Sequence, residues 1–354
     1  MKKTLLSLAV AAASVSTAAS AATIYKDDTS TLNMGGRVEV RANFSDANKS
    51  VDEFGIRDGK DDNVYKDASR IRLNIGGEQK LNDDISFIGF TEFEVTENSD
   101  PVGDDAAFNT RYLYAGVTSQ TYGALTYGHQ DNAFTYLTNF TDMAEVFSGY
   151  INEYNVATSD RANNVLRYAF NTEKLTIQAS VQGDSDSDGY DLTQNADGFG
   201  VIGAYKLTDA IELGLGYAQT DANNSGSDLD STGDNNTYTA AIRYSKDGIL
   251  VAATYEGGSV ARSSTDESDF NAADAYAGYT FGDNNVNMTY NYFNADEDQF
   301  NNLNMNNIAL EYARYFGEHA TVYGAYNFNL LSDSDAATEN QTEDQIQVGF
   351  RYAF

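Results

Sequence analysis

Arginines in this chain are spaced so as to share a surface with carboxylates. In "RVEVRANF" (37–44), Val38, Val40, Ala42 and Phe44 alternate with Arg37, Glu39, Arg41 and Asn43. In "RIRLNIG" (70–76), Ile71, Leu73 and Ile75 alternate with Arg70, Arg72 and Asn74. A two-residue period marks a strand with one apolar and one polar face. In "TRYLYAG" (110–116), Tyr112 and Tyr114 are expected on the apolar face, which puts Arg111 on the other. Glu39 and Glu92 are the expected ion partners. Such a set can sort ions by charge, or it can simply solvate a polar interior.

Other chemistries find little support. Histidine occurs only at His129 and His319, too few for a zinc site. No convincing Ser–His pair appears. With 0 cysteines there is no thiolate chemistry and no disulfide framework. "DSDSDGYDLTQN" (184–195) spaces Asp184, Asp186, Asp188 and Gly189 like a calcium loop. Its twelfth residue is Asn195 rather than the bidentate glutamate, so it reads as an acidic loop. A net charge of −31 argues against nucleic-acid partners, which require a basic surface. No metal or cofactor is expected.

The elements that position these residues are strands. Lys2 and Lys3, an apolar run from Leu5 to Val15 and Ala19-Ser20-Ala21 form a secretory signal peptide over 1–21. Its removal takes the net charge from −31 to −33. The remainder, 22–354, reads as a single domain without a linker. It has no run of about 18 apolar residues and hence no membrane helix. Its one proline, Pro101, suits a chain built mostly of ladders. The 25 Tyr and 19 Phe mostly alternate with polar residues.

Alternating segments fall near 32–45, 69–80, 85–97, 110–119, 124–129, 164–170, 175–182, 198–206, 211–220, 237–245, 249–258, 270–281, 285–293, 304–315, 320–329 and 345–354. The connections alternate strictly between short, turn-rich ones and long ones. An even number of strands with two unlike ends predicts an all-β fold: a 16-stranded antiparallel transmembrane β-barrel. Lipid offers backbone groups no partner, so strands can cross it only as a closed ladder. An arginine facing lipid at mid-membrane costs about 2–4 kcal/mol, so the arginines above must face the lumen.

Several stretches resemble the general porins of the Gram-negative outer membrane, the OmpF/OmpC/OmpU type. They are "ATIYKDD" (22–28), "SRIRLNIGGE" (69–78), "NTRYLYAGVTSQTYGALTYGHQDN" (109–132), "FTDMAEVFSG" (140–149) and the terminal "FRYAF". The resemblance implies short periplasmic turns, long external loops and a third loop, here 130–163, folded into the pore. It implies a homotrimer in outer-membrane lipid and lipopolysaccharide, through which small hydrophilic solutes diffuse passively. It also implies a constriction with Arg37, Arg70, Arg72, Arg111 and Arg161 on a basic wall, facing Asp142 and Glu145 on the third loop. Glu39, Arg41, Glu92, His129 and Arg167 are further pore-lining candidates. Phe354 and Tyr352 match the family's C-terminal signal, which the barrel-assembly machinery reads. The chain departs from the family at Glu145-Val146-Phe147-Ser148-Gly149, where the glutamate is offset by one. It departs again at His129, where an arginine is common.

Two other readings remain open, a sugar-selective channel and a barrel serving mainly as an adhesin or receptor. Trp is absent and most aromatics alternate outward, which disfavours a sugar track. The charged loop 46–68, with Asp46, Lys49, Asp52, Glu53, Arg57 and Asp58, is a candidate latch onto a neighbouring barrel. Acidic loops at 184–197, 221–234 and 333–344 would concentrate cations at the mouth, so a modest cation preference is expected.

Overall fold

The computed structural model describes residues 21–51, 56–96, 107–152, 157–183, 197–223, 232–263 and 266–354. Most of the signal segment and all of the calcium-like loop 184–195 lie outside them. Eighteen strands form one antiparallel sheet. They begin with β1 (Ala22–Lys26), β2 (Ser30–Ser45), β3 (Tyr65–Asp67), β4 (Arg70–Lys80), β5 (Ile85–Thr96) and β6 (Ala107–Ser119). Next come β7 (Gly123–Asp131), β8 (Arg161–Asn171), β9 (Leu175–Gln182), β10 (Asp197–Lys206), β11 (Ile211–Asn223) and β12 (Thr232–Lys246). The last are β13 (Ile249–Ser263), β14 (Asp266–Phe281), β15 (Asn284–Ala295), β16 (Met305–Phe316), β17 (Ala320–Asn329) and β18 (Gln345–Ala353).

Sixteen of these, β2 and β4 to β18, are barrel staves. Each pairs with the next, and β18 returns to β2 from Gln345 opposite Ser45 to Ala353 opposite Arg37. Two bonds close the seam, Gly36 N to Phe354 O (2.8 Å) and Phe354 N to Gly36 O (2.9 Å). Beyond the end of β18, β1 takes over the same edge of β2, with Ala22 opposite Met34. On the other edge, β4 is continued by β3, with Asp67 opposite Ala42. One long strand therefore carries a partner along nearly its whole length on both sides.

All sixteen expected strands are present. β7 runs through Asp131 rather than ending at 129, and β12 to β14 extend at their long-loop ends into polar stretches such as "TGDNN" (232–236). Apolar alternation stops where lipid stops, whereas the ladder continues into water. The short turns gather at the opposite end. At one of them Asp247 (φ 54°) and Gly248 (φ 81°) link Lys246 to Ile249. Both are positive, the two-residue turn for which Asp-Gly is suited.

The burial pattern is that of a soluble protein inverted. Leu215, Leu113, Val40, Val181, Leu310 and Phe350 lie on the outer face, between 46% and 68% exposed. Glu39, Asn74, Glu92, Gln178, Thr237, Glu256 and Asn291 are buried on the inner face. An apolar outer surface that encircles the molecule far exceeds the few hundred Å² tolerated in water, so the solvent it fits is lipid. Leu310 sits midway along β16. Leu310→Arg should lower barrel stability by about 2–4 kcal/mol, read by denaturant titration in lipid vesicles, with Leu310→Phe nearly neutral.

Candidate functional site

The basic wall is made by β18, β2, β4, β6 and β8. The register sets Arg37 directly opposite Arg72 and Glu39 opposite Arg70. Arg72 in turn lies opposite Glu94 on β5. Like charges directly across a ladder repel, so Arg37 and Arg72 need carboxylates beside them.

Glu39 is the hub. It is 1% exposed and accepts from Arg70 Nε (2.6 Å), Arg41 Nη2 (3.0 Å) and the Tyr323 hydroxyl (2.8 Å). Arg37 and Arg351 each approach it to 3.9 Å. Glu94 pairs with Arg72, with Arg70 (3.7 Å) and with Arg111 (3.8 Å). Glu92 holds Arg111 Nε at 2.9 Å. A buried carboxylate is tolerable only when paired and hydrogen-bonded, and the four cations and one hydroxyl around Glu39 supply that. Glu94 and Arg351 were not among the residues singled out from the sequence. Glu94 could have been found, because it shares parity with Glu92. Arg351 lies in the terminal strand, where the aromatics drew attention instead.

Arg111 faces the lumen, but not by simple alternation. Tyr112 and Tyr114 are themselves buried on the inner face, and Leu113 is 59% exposed outside. The pairing of β5 with β6 jumps from Glu92–Tyr112 to Phe93–Thr110, leaving Arg111 as an extra residue. A β-bulge lets two successive side chains share a face. Tyr112 then sits between two guanidiniums, with Arg111 6.0 Å and Arg161 5.3 Å from its ring centre. Its hydroxyl donates to Asp131 (2.9 Å). Tyr112 and Tyr114 pack with Phe90 as a compact aromatic patch.

The loop between β7 and β8 folds inward along the opposite wall. Its first part buries Phe134, Leu137 and Phe140 against Ile202, Ala204, Ala218, Ala241 and Ala252. Small wall residues make room. A Cβ at Gly214 would come within 2.2 Å of Leu137 Cδ2. The tip is held by carboxylates. Glu311 accepts from the backbone N–H of Glu145 (2.9 Å) and Val146 (3.1 Å), and Asp274 accepts from Ile151 N (3.0 Å). Phe147 O accepts from the Thr289 hydroxyl (2.6 Å). Thr158 returns the loop to β11 by donating to Gln219 O (2.9 Å).

The two acidic loop residues differ in role. Asp142 is exposed in the lumen and accepts from Ser148 Oγ (2.8 Å). Glu145 makes a two-point ion pair with Arg351 on β18, one arm at 2.9 Å. It therefore ties the loop tip to the basic wall rather than presenting an open charge.

Other expected residues lie elsewhere. His129 is opposite the outward Leu113, and its ring meets Asn163 Oδ1 at 2.7 Å, so it is not on the arginine face. It keeps the outward parity of Leu125 and Tyr127 on the same strand, and the irregularity between Gly128 and Gln130 places its extra residue in β8, at Asn163 and Asn164. Arg167 faces inward but below the cluster, gripping Gln178 Oε1 from Nε (3.1 Å) and Nη2 (2.6 Å). Arg57 in the candidate latch pairs with Asp46 (3.6 Å), Glu339 (3.7 Å) and Glu343, so it binds its own barrel. Tyr352 and Phe354 point outward, 46% and 39% exposed.

Two substitutions test this arrangement. Glu39→Gln removes the hub charge and should shift the zero-current potential in a KCl gradient toward anions. The shift should shrink in concentrated salt, as the screening length falls from about 30 Å at 0.01 M to about 3 Å at 1 M. Gly214→Leu should unseat Leu137 and raise single-channel conductance. Pairing it with Leu137→Gly should restore the wild-type value.

A family model for Gram-negative porins matches residues 6–334. Outer membrane protein U of Vibrio parahaemolyticus is 32% identical over 100% of both chains. The structure of Salmonella typhi OmpF in complex with daunomycin superposes with a TM-score of 0.78 at 20% identity, covering 94% of this chain and 100% of that one. Vibrio cholerae OmpT in a trimer form gives 0.66 at 15% identity, covering 92% and 100%. A closed polar-lined barrel with an inward loop and a whole-length match of this kind lead to one conclusion: the chain belongs to the Gram-negative porins, outer-membrane channels for passive diffusion.

Proposed function

We propose that ions and small hydrophilic solutes are sorted at a constriction between the basic wall and the inward loop, with a modest preference for cations. The observation that carries this is the asymmetry of neutralisation. Arg37, Arg41, Arg70, Arg72, Arg111 and Arg351 are all ion-paired to Glu39, Glu92, Glu94 or Glu145. Asp142 faces them exposed in the lumen, bonded to a serine hydroxyl rather than to a cation. Four carboxylates cancel most but not all of the charge on six guanidiniums, so the preference for cations rests on Asp142 together with the chain's net charge of −31.

Among the described residues the His129 ring meets Asn163 and the His319 ring meets the Ala353 carbonyl at 2.8 Å, and neither is bonded to a serine. The aromatic patch at Phe90, Tyr112 and Tyr114 is a cluster on two adjacent strands rather than a track down the pore. That favours general diffusion over sugar selection.

The remaining assignments rest on family resemblance. They are a homotrimer, contact with lipopolysaccharide and recognition of Phe354 and Tyr352 by the assembly machinery, whereas cleavage after Ala21 rests on the residue pattern of 1–21 itself. With Arg57 engaged at home, a trimer contact would be sought on the outer barrel wall. Unboiled protein should migrate as a trimer on a mild detergent gel, and N-terminal sequencing should begin at Ala22.

The charge assignment has its own test. Changing Asp142 and Glu145 to amides should move the reversal potential toward anions. Arg72→Ala with Arg111→Ala should raise conductance and cation preference. Unchanged potentials in both double variants, at low and high salt, would mean that the constriction lies elsewhere.

A further inference from the structure

Among the described side chains, Arg314 is the strand arginine that stands on the outer face. It alternates outward with Leu310, Tyr312 and Phe316, whereas Glu311 and Ala313 between them are buried inward. It lies two residues from the end of β16 at Phe316. At about 3.3 Å per residue that is roughly 7 Å along the strand. An outward arginine is costly at the membrane midplane and nearly free of cost near the interface. Its height therefore places it at the headgroup level of the short-turn end.

The side chain is held there rather than trailing. Nη1 donates to Asn284 Oδ1 (2.9 Å), and the guanidinium lies 5.3 Å from the Phe316 ring centre. The same Asn284 oxygen also accepts from the Tyr312 hydroxyl (2.8 Å). Asn284 is directly opposite Arg314 in the ladder, so the brace is built into the register. On the other side of Arg314 stands Val322, 44% exposed, and beside Tyr312 stands Val286, 47% exposed. No carboxylate among the described residues comes within ion-pair distance of the guanidinium. A fixed cation at a lipid surface, braced by a neutral amide and flanked by apolar side chains, lacks only an anion with a hydrocarbon tail.

We propose that Arg314, Asn284, Tyr312 and Phe316 form a binding site for a glycerophospholipid of the periplasmic leaflet. The Nε and Nη2 hydrogens of Arg314 take the phosphate, in the two-pronged geometry that guanidinium and phosphate share. An acyl chain lies along Val286 and Val322. The site rests on the porin reading in one respect, that the short-turn end faces the periplasm.

The test is native mass spectrometry of the detergent-purified full-length oligomer titrated with phosphatidylglycerol, and separately with lipid A and with inorganic phosphate. For Arg314→Gln the phosphatidylglycerol Kd should rise about tenfold or more, since charged hydrogen bonds contribute about 1.5–3 kcal/mol and each 1.4 kcal/mol is tenfold. Arg314→Lys, which keeps the charge but loses the fork, should fall between. Asn284→Ala should weaken binding by releasing the guanidinium. A heat-dependent gel shift confirms that each barrel is folded, and Arg314→Lys and Asn284→Ala give the same reading should Arg314→Gln not fold. Equal phosphatidylglycerol affinity in the wild type and the folded variants overturns the proposal. So does a loss confined to inorganic phosphate, which would make the site a simple anion trap. A loss confined to lipid A would instead place the short turns in the outer leaflet, leaving the barrel intact but reversing its orientation. Separation of the Arg314→Gln oligomer into single barrels with unchanged lipid affinity would assign Arg314 to a contact between copies and overturn the lipid site.

Discussion

Every backbone N–H and C=O that crosses lipid must find a partner within the protein, because hydrocarbon supplies none. The architecture follows from that. A sheet with an edge would leave a row of polar groups in the membrane, so β18 returns to β2 and the edge disappears. The shared use of β2, by β1 and β18 on one side and by β3 and β4 on the other, is the same constraint acting on a long stave. Closure also decides which residues face where, since each strand then has one lipid face and one water face.

Closure turns the interior into the polar compartment, and there the problem is reversed. Charges can enter but must be balanced at short range. Arg37 and Arg72 meet head-on in the ladder, an arrangement that stands only because Glu39 and Glu94 lie among the guanidiniums. Glu39 could not be buried without its arginines, nor could they crowd together without it. The basic wall is thus a network of mutual dependence, and its net field is far smaller than the number of arginines suggests.

The inward loop meets both kinds of demand at once. Its apolar side chains lie on a wall kept shallow by Gly214, Ala204 and Ala218, while its backbone donors are met by Glu311 and Asp274. The ion pair from Glu145 to Arg351 then joins the loop tip to the seam strand. A loop fixed at both its apolar and polar contacts leaves an opening of defined shape, which is what a diffusion channel requires of it.

Local pattern was sufficient for much of this. The period of two in "RVEVRANF" and "RIRLNIG" placed Arg37, Glu39, Arg41, Arg70 and Arg72 on the inner face, and alternating connections predicted sixteen staves with two unlike ends. Both features are set by neighbouring residues, and lipid enforces them along each strand. Pairing decided the rest. The bulge at Arg111 breaks alternation, and a bulge depends on what the partner strand offers, so Tyr112 and Tyr114 turn inward against the simple pattern. Glu145 finds Arg351 and Arg57 finds Glu343 across more than 200 residues of chain. Partners so far apart in sequence are brought together only by closing the barrel. That is why the face of a charge could be read from the sequence, while the charge it answers was settled by the tertiary structure.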